Sequence, residues 1–531
     1  MSASIVSRIL KPTPEQMAII ESESDISVVN AGAGAAKTTT LEMFAKARPN
    51  ARILYLAYNR SIKEEAIKKF PSNVKVLTSH QPAYAVFGRD YQHKMAGNIR
   101  PYSVLKALNL DRNRNIPSGA TMVYAQRIVQ TVEKFLTGIE PYVTLEDVVI
   151  DHGSPIERVH FDIADIANCA NDLWSIMKDI KDERVPMVHD GYLKLFMLSG
   201  RQIGRYEYIL FDESQDANPV TMQIVRNQQA KKIFVGDKNQ AIYKFRGAVN
   251  AMEMIEGAKH FKLTGSFRFG PEIALAANKM LYLKDSDLYV DGLAPHGLVM
   301  VPDKEGYQIA GEQYMHLTRG AFSMLEEAIK QAELKKSISF IGGVEGYRFS
   351  RLDDVYAMKF GMEVKDPFIK LFESYDALTS YSESDRDMSS CIGLVETYGK
   401  ELPAKLKLIQ DRTVADTSQA DVIFSTAHKA KGLEHKNISL SKDFYKSFNY
   451  TNHFNPDGSR VNFHEEEEMN IAYVAITRAK QMLVLPHDAR ELFTSDALTR
   501  DVIAQKSIRM NMVNTPELII EHKKRRRNRA L

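Results

Sequence analysis

The sequence predicts an α/β fold built on mainly parallel sheets, and three features predict it. Short apolar runs rich in β-branched residues recur as ISVVN (26–30), RILYLAY (52–58), VKVLT (74–78), YEYILF (206–211) and KKIFVG (231–236). Each is followed by a helical or loop segment, the alternation expected of parallel strands joined by crossovers. A glycine-containing loop leaves the first run, and acidic or amide side chains follow the last two. Both features place polar chemistry at the carboxyl ends of strands, where open α/β sheets carry their sites.

The run ISVVN reads as a buried strand, and AGAGAAKTTT (31–40) follows it. Downstream, Leu41, Phe44 and Ala45 recur at helical spacing. Strand, loop and helix in this order are the setting of the phosphate loop G-x-x-x-x-G-K-[ST], in which backbone N–H groups and a helix N-terminus face an anion. Lys37 would add a charge toward the β- and γ-phosphates, and Thr38 a hydroxyl toward Mg²⁺. Ala31, Gly32, Ala33, Gly34, Ala35, Ala36, Lys37, Thr38 and Thr39 form the candidate cradle. A strand-loop-helix without function is the alternative reading. One letter departs from the pattern: Ala36 holds the place of the glycine before the lysine. A methyl group there costs little at negative φ and weakens binding if φ is positive.

In YEYILFDESQDANP (206–219) a strand ends in an acidic cluster. Asp212 and Glu213 fit the metal-holding and water-activating carboxylates of an ATPase, against the plainer reading of a solvated strand end. Shortly after, KKIFVGDKNQAIYKFRGA (231–248) supplies a further strand with Gly236, Asp237 and Gln240 behind it, where a polar side chain would sense a γ-phosphate or position water.

Composition bounds the rest. At 531 residues the chain has room for three or four domains of roughly 100–200 residues each. The 70 basic and 67 acidic residues leave a net charge of +3, which neither requires nor excludes a nucleic-acid partner. Cys169 and Cys391 match no metal or redox spacing and are expected to be reduced core thiols. No apolar run approaches the roughly 18 residues of a membrane span, so no membrane partner and a soluble, intracellular location are expected. The tail HKKRRRNRAL (522–531) is basic; a solvated tail, a non-specific nucleic-acid grip or a nuclear address all fit it.

Taken in order, these segments and the motifs HDGYLKL (189–195), FRGAVNA (245–251), LTGSFRFGPEIA (263–274), STAHKAKGLEH (425–435) and AYVAITRAK (472–480) resemble a superfamily-one DNA helicase of the UvrD/Rep group, nearest its F-box DNA helicase branch. The resemblance runs from about residue 12 to about 486. It implies two RecA-like P-loop motor domains on parallel sheets, with a mainly helical insertion in the first and a short one in the second. The expected division is 1–83 with 188–262 for the first motor domain, 84–187 for its insertion, 263–359 with 419–500 for the second, 360–418 for its reduced insertion, and 501–531 for a C-terminal segment. ATP and Mg²⁺ are the implied cofactors and single-stranded DNA the implied partner. The location becomes the nucleoid, or the nucleus in a eukaryote.

Residue by residue, the resemblance assigns Gln16 to the adenine edge, Phe267 to stacking on adenine and Glu434 to the ribose. Lys37 and Thr38 take phosphate and Mg²⁺, Asp212 holds the metal, and Glu213 orients the attacking water. Gln240 couples γ-phosphate to DNA, Arg268 touches the γ-phosphate, and Arg478 is the arginine finger. Tyr58, Asn59, His80, Phe245, Arg246, His428 and Lys429 line the DNA path. Arginines remote in sequence from the loop would complete the site only on domain closure, which makes closure the motor stroke. The residues ahead of position 12 leave no room for an F-box, so no F-box-mediated ubiquitin-ligase partner is expected. Ser214 for alanine in the acidic box, and Met469 and Asn470 where relatives carry arginines, are further departures. None removes a catalytic group, and the expectation is a working site, slowed if Ala36 needs positive φ. A weakly hydrolysing, ATP-gated DNA-binding subunit is the second reading, and an RNA-directed motor the third. His435, His453 and His464 lack metal spacing and are expected at the surface.

Overall fold

The computed structural model describes residues 11–513 apart from 112–115, 118–119, 152–154, 244–251, 253–254, 296, 305–306, 308, 348, 367, 383–385, 456, 458 and 462–464. Two units emerge. The first holds the described residues up to Ala31 together with Ala36–Leu263, and the second holds Gly32–Ala35 with the described residues from Thr264 onward.

The first unit is built on a six-stranded sheet. Its strands are β1 (Ile26–Ala31), β2 (Ile53–Ala57), β3 (Val74–Thr78), β4 (Tyr208–Phe211), β5 (Lys231–Gly236) and β6 (Lys259–Leu263). They lie in the order β3-β2-β4-β5-β1-β6, and every neighbouring pair is parallel. Parallel strands need crossovers, which leave both faces covered and the strands apolar throughout. All five residues of β2 are buried, as are all four of β4. Because β1 sits beside β5 and β5 beside β4, the segments following all three leave from one edge. That edge carries the loop, the acidic cluster and the Gly236 turn. The five strands expected from sequence are present; β6 is an addition. Its KHFKL pattern is mostly solvent-facing at the sheet margin, so no apolar run announced it.

Between Thr78 and Tyr208 the first unit is mainly helical. Helices Thr121–Thr137 and Ile163–Lys178 pack through Tyr124, Ile128, Val132, Phe135, Leu173 and Trp174. Within the first helix the spacing of Tyr124, Ile128, Thr131, Val132 and Phe135 forms one face. Beside it, Arg127 and Glu157 make a buried bidentate pair with bonds of 2.8 and 2.7 Å. Glu157 also accepts from the Asp151 backbone N–H at 2.8 Å. Removing one partner strands the other charge, at about 3–5 kcal/mol. Glu157→Ala is therefore expected to lower the stability of this helical layer by about that amount. Faster amide exchange over 121–137, with exchange in the β-sheet unchanged, checks it.

The second unit carries a small parallel pair, β7 (Gly265–Ser266) with β8 (Asp291–Gly292), and its own six-stranded parallel sheet. That sheet comprises β9 (Leu298–Met300), β10 (Tyr314–Thr318), β11 (Ile338–Phe340), β12 (Val422–Thr426), β13 (His435–Leu440) and β14 (Ala479–Val484). Their order is β11-β12-β10-β13-β14-β9. The expectation of two parallel α/β sheets thus holds. Strands β9 and β13 are additions to the expected set; in β13, HKNISL places Lys436 and Asn437 where a buried strand should be apolar. Asn437 is nonetheless buried, its amide donating to Glu312 Oε2 and the Gln313 carbonyl. The polar stretch 360–418 forms helices Tyr375–Ser382, Arg386–Tyr398 and Leu402–Arg412. Leu378, Val395, Leu402 and Ile409 enter the same core as Met324, Leu325 and Ile329.

Three smaller expectations resolve here. No helix among the described residues is long and apolar enough to cross a membrane. Both cysteines are thiols; Cys169 is buried, and Cys391 is half-buried, packed against the core of the second unit and on a cavity wall. The surface expectation for histidine needs correcting. His453 is buried with Nε2 2.7 Å from the Ser447 carbonyl, a hydrogen bond that offsets its loss of water. His435 is half-buried, and His464 lies outside the described residues.

Candidate nucleotide and nucleic-acid sites

Strand β1 ends at Ala31, and helix Lys37–Lys46 begins after the loop. Leu41, Phe44 and Ala45 anchor that helix in the core. Ala36, its N-cap residue, has φ 55° and ψ 41°, the left-handed region. The alanine methyl group is therefore strained at the position where the phosphate-loop pattern has glycine, at about 1–2 kcal/mol. Ala36→Gly relieves that strain but adds unfolded-chain entropy of about 0.4–1 kcal/mol. The expected net gain is about 0.5–1 kcal/mol in loop stability, with up to about fivefold tighter nucleotide binding. Calorimetric titration with ADP checks this.

Within the first unit the segments that follow β1, β4 and β5 converge with a residue from the middle of β2. Lys37 Nζ lies 3.0 and 3.1 Å from the two carboxylate oxygens of Glu213. Thr38 donates its hydroxyl to Asp212 Oδ2 at 2.9 Å, and Tyr55 donates to the same oxygen at 2.7 Å. The Glu213 N–H closes on Asp212 Oδ1 at 2.9 Å. Gln215 ties the cluster to β5: its amide donates to Glu213 at 2.6 Å while its oxygen accepts from the Asp237 N–H at 3.1 Å. Gln240 donates to Asp237 Oδ2 at 2.8 Å. Glu213 has φ 51°, a second left-handed non-glycine residue at this site and a mark of local strain often found where chemistry occurs.

Electrostatics follow from this crowding. Burial works against the Lys37 ammonium, but the carboxylates of Glu213, Asp212 and Asp237 outweigh it, and its pKa is raised. Burial pushes the Asp212 carboxyl up, and Glu213 pushes it further, against Lys37, Tyr55 and Thr38. A hydroxyl and a carboxylate side by side form an all-oxygen donor pair, which suits a hard cation such as Mg²⁺ and is unsuited to a soft metal. Among the described residues no group of three or more His, Cys, Asp or Glu could hold a metal by itself. Such an ion would therefore take ligands from phosphate and water as well, the usual habit of Mg²⁺.

Gln16, expected at the adenine edge, is buried in the cap of helix Pro14–Ile20. Its oxygen accepts from the Thr13 N–H, and its amide donates to Thr40 Oγ1 at 3.0 Å. In the second unit, Phe267 is a solvent-exposed ring and its N–H donates to the Gly34 carbonyl at 2.9 Å. Gly34 has φ 74°, and a Cβ there would lie 2.5 Å from Ser266 Oγ. Tyr473 accepts from the Ala33 N–H at 3.1 Å. Arg268 donates to Glu434 at 2.8 Å and to the Thr477 carbonyl at 2.9 Å, while Lys480 holds the other Glu434 oxygen. Burial opposes the charge on Glu434, yet Lys480 and Arg268 hold its carboxyl below the ordinary range. Arg478 is buried and donates to the carbonyls of Val474 and Leu433.

The residues expected along DNA fall into two groups. In the first unit Tyr58 stacks on Tyr243 with centroids 6.2 Å apart, and Asn59 caps helix Arg60–Lys69 through Ile62 N. His80 lies 3.4 Å from Asp190, beside His189 and Tyr192. Phe245 and Arg246 lie outside the described residues. In the second unit His428 and Lys429 line a cavity of about 400 Å³ with Arg319, Phe322, Tyr347 and Arg351. Lys429 donates to the Gly346 carbonyl at 2.7 Å and sits 3.4 Å over the Tyr347 ring; burial lowers its pKa. Cations and aromatic faces on one wall suit a phosphate backbone with unstacked bases.

Sequence reasoning passed over Tyr55, Gln215 as a bridge, and Tyr473. Within RILYLAY, Tyr55 passes for one more apolar residue of a buried strand. The usable signal was a phenol in that strand, since a buried Tyr O–H requires a partner.

A strained loop facing an acidic strand end, at the carboxyl edge of a parallel sheet, defines a P-loop α/β domain. A second parallel α/β unit follows it in the chain. Comparison with known families specifies the class further: residues 198–260 match the UvrD/REP helicase N-terminal domain, and residues 356–488 the UvrD-like helicase C-terminal domain. Each of the two parallel α/β units thus contains a segment similar to a UvrD-like helicase domain, and parallel sheets of this kind suit the RecA-like motor domains of that class. F-box DNA helicase 1 of Gallus gallus is 29% identical over 518 residues, covering 91% of this chain and 50% of the relative. F-box DNA helicase protein 1 of Schizosaccharomyces pombe is 28% identical over 515 residues, covering 91% and 58%. The putative ATP-dependent DNA helicase YjcD of Bacillus subtilis is 32% identical over 115 residues, 19% of this chain and 15% of the relative. The chain thus spans about half the length of the F-box relatives it matches.

Proposed function

We propose that the chain is an ATP-dependent DNA helicase or translocase that moves along single-stranded DNA, 3′ to 5′, in repair, recombination or replication. The observation that carries this reading is the meeting of Lys37 and Thr38 with Asp212 and Glu213 at one sheet edge. The names of the relatives, DNA helicases, support the choice of DNA as substrate. Lys37 would take the γ-phosphate of ATP held on the loop, and Thr38 and Asp212 would hold Mg²⁺, which would supply charge neutralisation on the phosphates. Glu213 holds the attacking water by accepting its proton, and Gln240 reads the γ-phosphate. Arg268 and Arg478 add positive charge from the second motor domain, worth about 10³–10⁵ in rate for a well-placed arginine finger. Gln16, Phe267 and Glu434 take the adenosine. Tyr58, Asn59, His80, Phe245, Arg246, His428 and Lys429 follow the DNA. The motor domains are 1–83 with 188–262 and 263–359 with 419–500, carrying insertions at 84–187 and 360–418. Such a protein works where DNA is held, in nucleoid or nucleus.

The strained Ala36 favours one other reading, a nucleotide-gated DNA-binding subunit that barely turns over. Steady-state ATP hydrolysis with and without single-stranded DNA separates the two, using Lys37→Ala as control. Strong stimulation by DNA that the control lacks supports the motor. Binding of DNA that responds to ATP, with turnover no higher than the control, replaces the motor with the gated binder.

A further inference from the structure

We infer that Tyr55 is a positioning residue for the metal-side carboxylate, and that its hydroxyl sets how readily the site takes Mg²⁺. The inference rests on the reading of Asp212 as the Mg²⁺ carboxylate. Tyr55 is fully buried in the middle of β2, next to β4 and in register with Leu210, so its strand runs alongside the one that delivers Asp212. Its ring is fixed against Phe70, with centroids 4.6 Å apart. Only the hydroxyl reaches the site, and it donates to Asp212 Oδ2 at 2.7 Å.

The carboxylate is held by three donors: Tyr55 and Thr38 on Oδ2, and the Glu213 N–H on Oδ1. These donors are not equivalent. The Thr38 hydroxyl donates to Asp212 and would at the same time offer an oxygen lone pair to a metal. Tyr55 and the Glu213 N–H have no such second task. They hold one oxygen each, which fixes the carboxylate plane from both sides. Without the phenol, Oδ2 keeps only the hydroxyl that would also serve the metal, and the carboxylate is held less firmly against rotation about its own axis. Hydrogen bonds to a charged acceptor are strong enough that this loss should be measurable. Nothing in the metal chemistry requires a tyrosine. Its place in the strand is that of a core residue, and the plain alternative is a phenol that found the nearest acceptor.

Tyr55→Phe keeps the ring and its contact with Phe70 and removes only the donor. ADP binding to the full chain is titrated by calorimetry, first in EDTA and then across Mg²⁺ concentrations. The Mg²⁺ concentration giving half of the metal-dependent gain in affinity should rise about three- to tenfold in the variant. ADP affinity in EDTA should stay within about twofold, because nucleotide contacts are untouched. An unchanged Mg²⁺ requirement overturns the inference while leaving the ATP site standing. Equal loss of affinity with and without Mg²⁺ also overturns it and makes Tyr55 a packing residue. If the unaltered chain binds ADP no better with Mg²⁺ than in EDTA, both the inference and the underlying reading of Asp212 fall.

Discussion

Glu213→Gln should lower ATP turnover by roughly 10²–10⁴-fold, the range for losing a positioned general base, while nucleotide affinity rises. The loss of rate follows from the amide's inability to accept a proton from attacking water. The gain in affinity follows from the structure. Lys37 Nζ is bound to both oxygens of Glu213 at 3.0 and 3.1 Å, so a phosphate must compete with that carboxylate for the ammonium. Neutralising Glu213 removes the competitor and keeps an oxygen for hydrogen bonding. Gln215 can donate its amide to that oxygen as it does to the carboxylate, so the tie to Asp237 survives. Affinity should improve about two- to tenfold, the effect of a partly screened ion pair. Single-turnover hydrolysis and ADP titration read the two effects separately. Weaker nucleotide binding would remove the competition argument.

The parts of this site that were legible in the sequence are those whose chemistry is written locally. AGAGAAKTTT carries its own strand and helix context, and DESQD ends a run too apolar to be anything but buried. The long-range pairings were not written there. That Thr38 meets Asp212, or that Gln215 bridges Glu213 to Asp237, depends on the sheet order β4-β5-β1, which no single segment encodes. Ala36 was legible as a departure, but its consequence was not, since only the backbone shows φ at 55°. Strand β13 was hidden because Asn437 is satisfied by Glu312 and by the Gln313 carbonyl, well over a hundred positions away in sequence. The resemblance, not the residue pattern, marked Arg478. Its guanidinium donates to the carbonyls of Val474 and Leu433, so any role toward phosphate requires it to exchange those acceptors.

Lys37→Ala should give the opposite sign in affinity for the same sign in rate. Lys37 is the side-chain cation bonded to Glu213 in the cluster, and Asp212, Glu213 and Asp237 all act on it. Its removal leaves adjacent carboxylates facing one another with burial already opposing the charge on Asp212. A triphosphate entering that site would meet uncompensated negative charge, so ADP and ATP affinity should fall by at least about tenfold. Turnover should fall further, by roughly 10²–10³, because the same ammonium would also stabilise charge developing on the transferred phosphoryl group. The pair of variants is more informative than either alone. If the cluster is a nucleotide site, both lose hydrolysis and DNA stimulation while their nucleotide affinities move apart. A structural cluster predicts a different pattern: both variants lose stability, because each breaks the same ion pair, and neither changes nucleotide affinity. Thermal unfolding with and without ADP measures both quantities at once. A midpoint raised by ADP in Glu213→Gln at least as much as in the unaltered chain, and barely raised in Lys37→Ala, is the result expected of a phosphate-binding lysine held in reserve by the carboxylate that later assists hydrolysis.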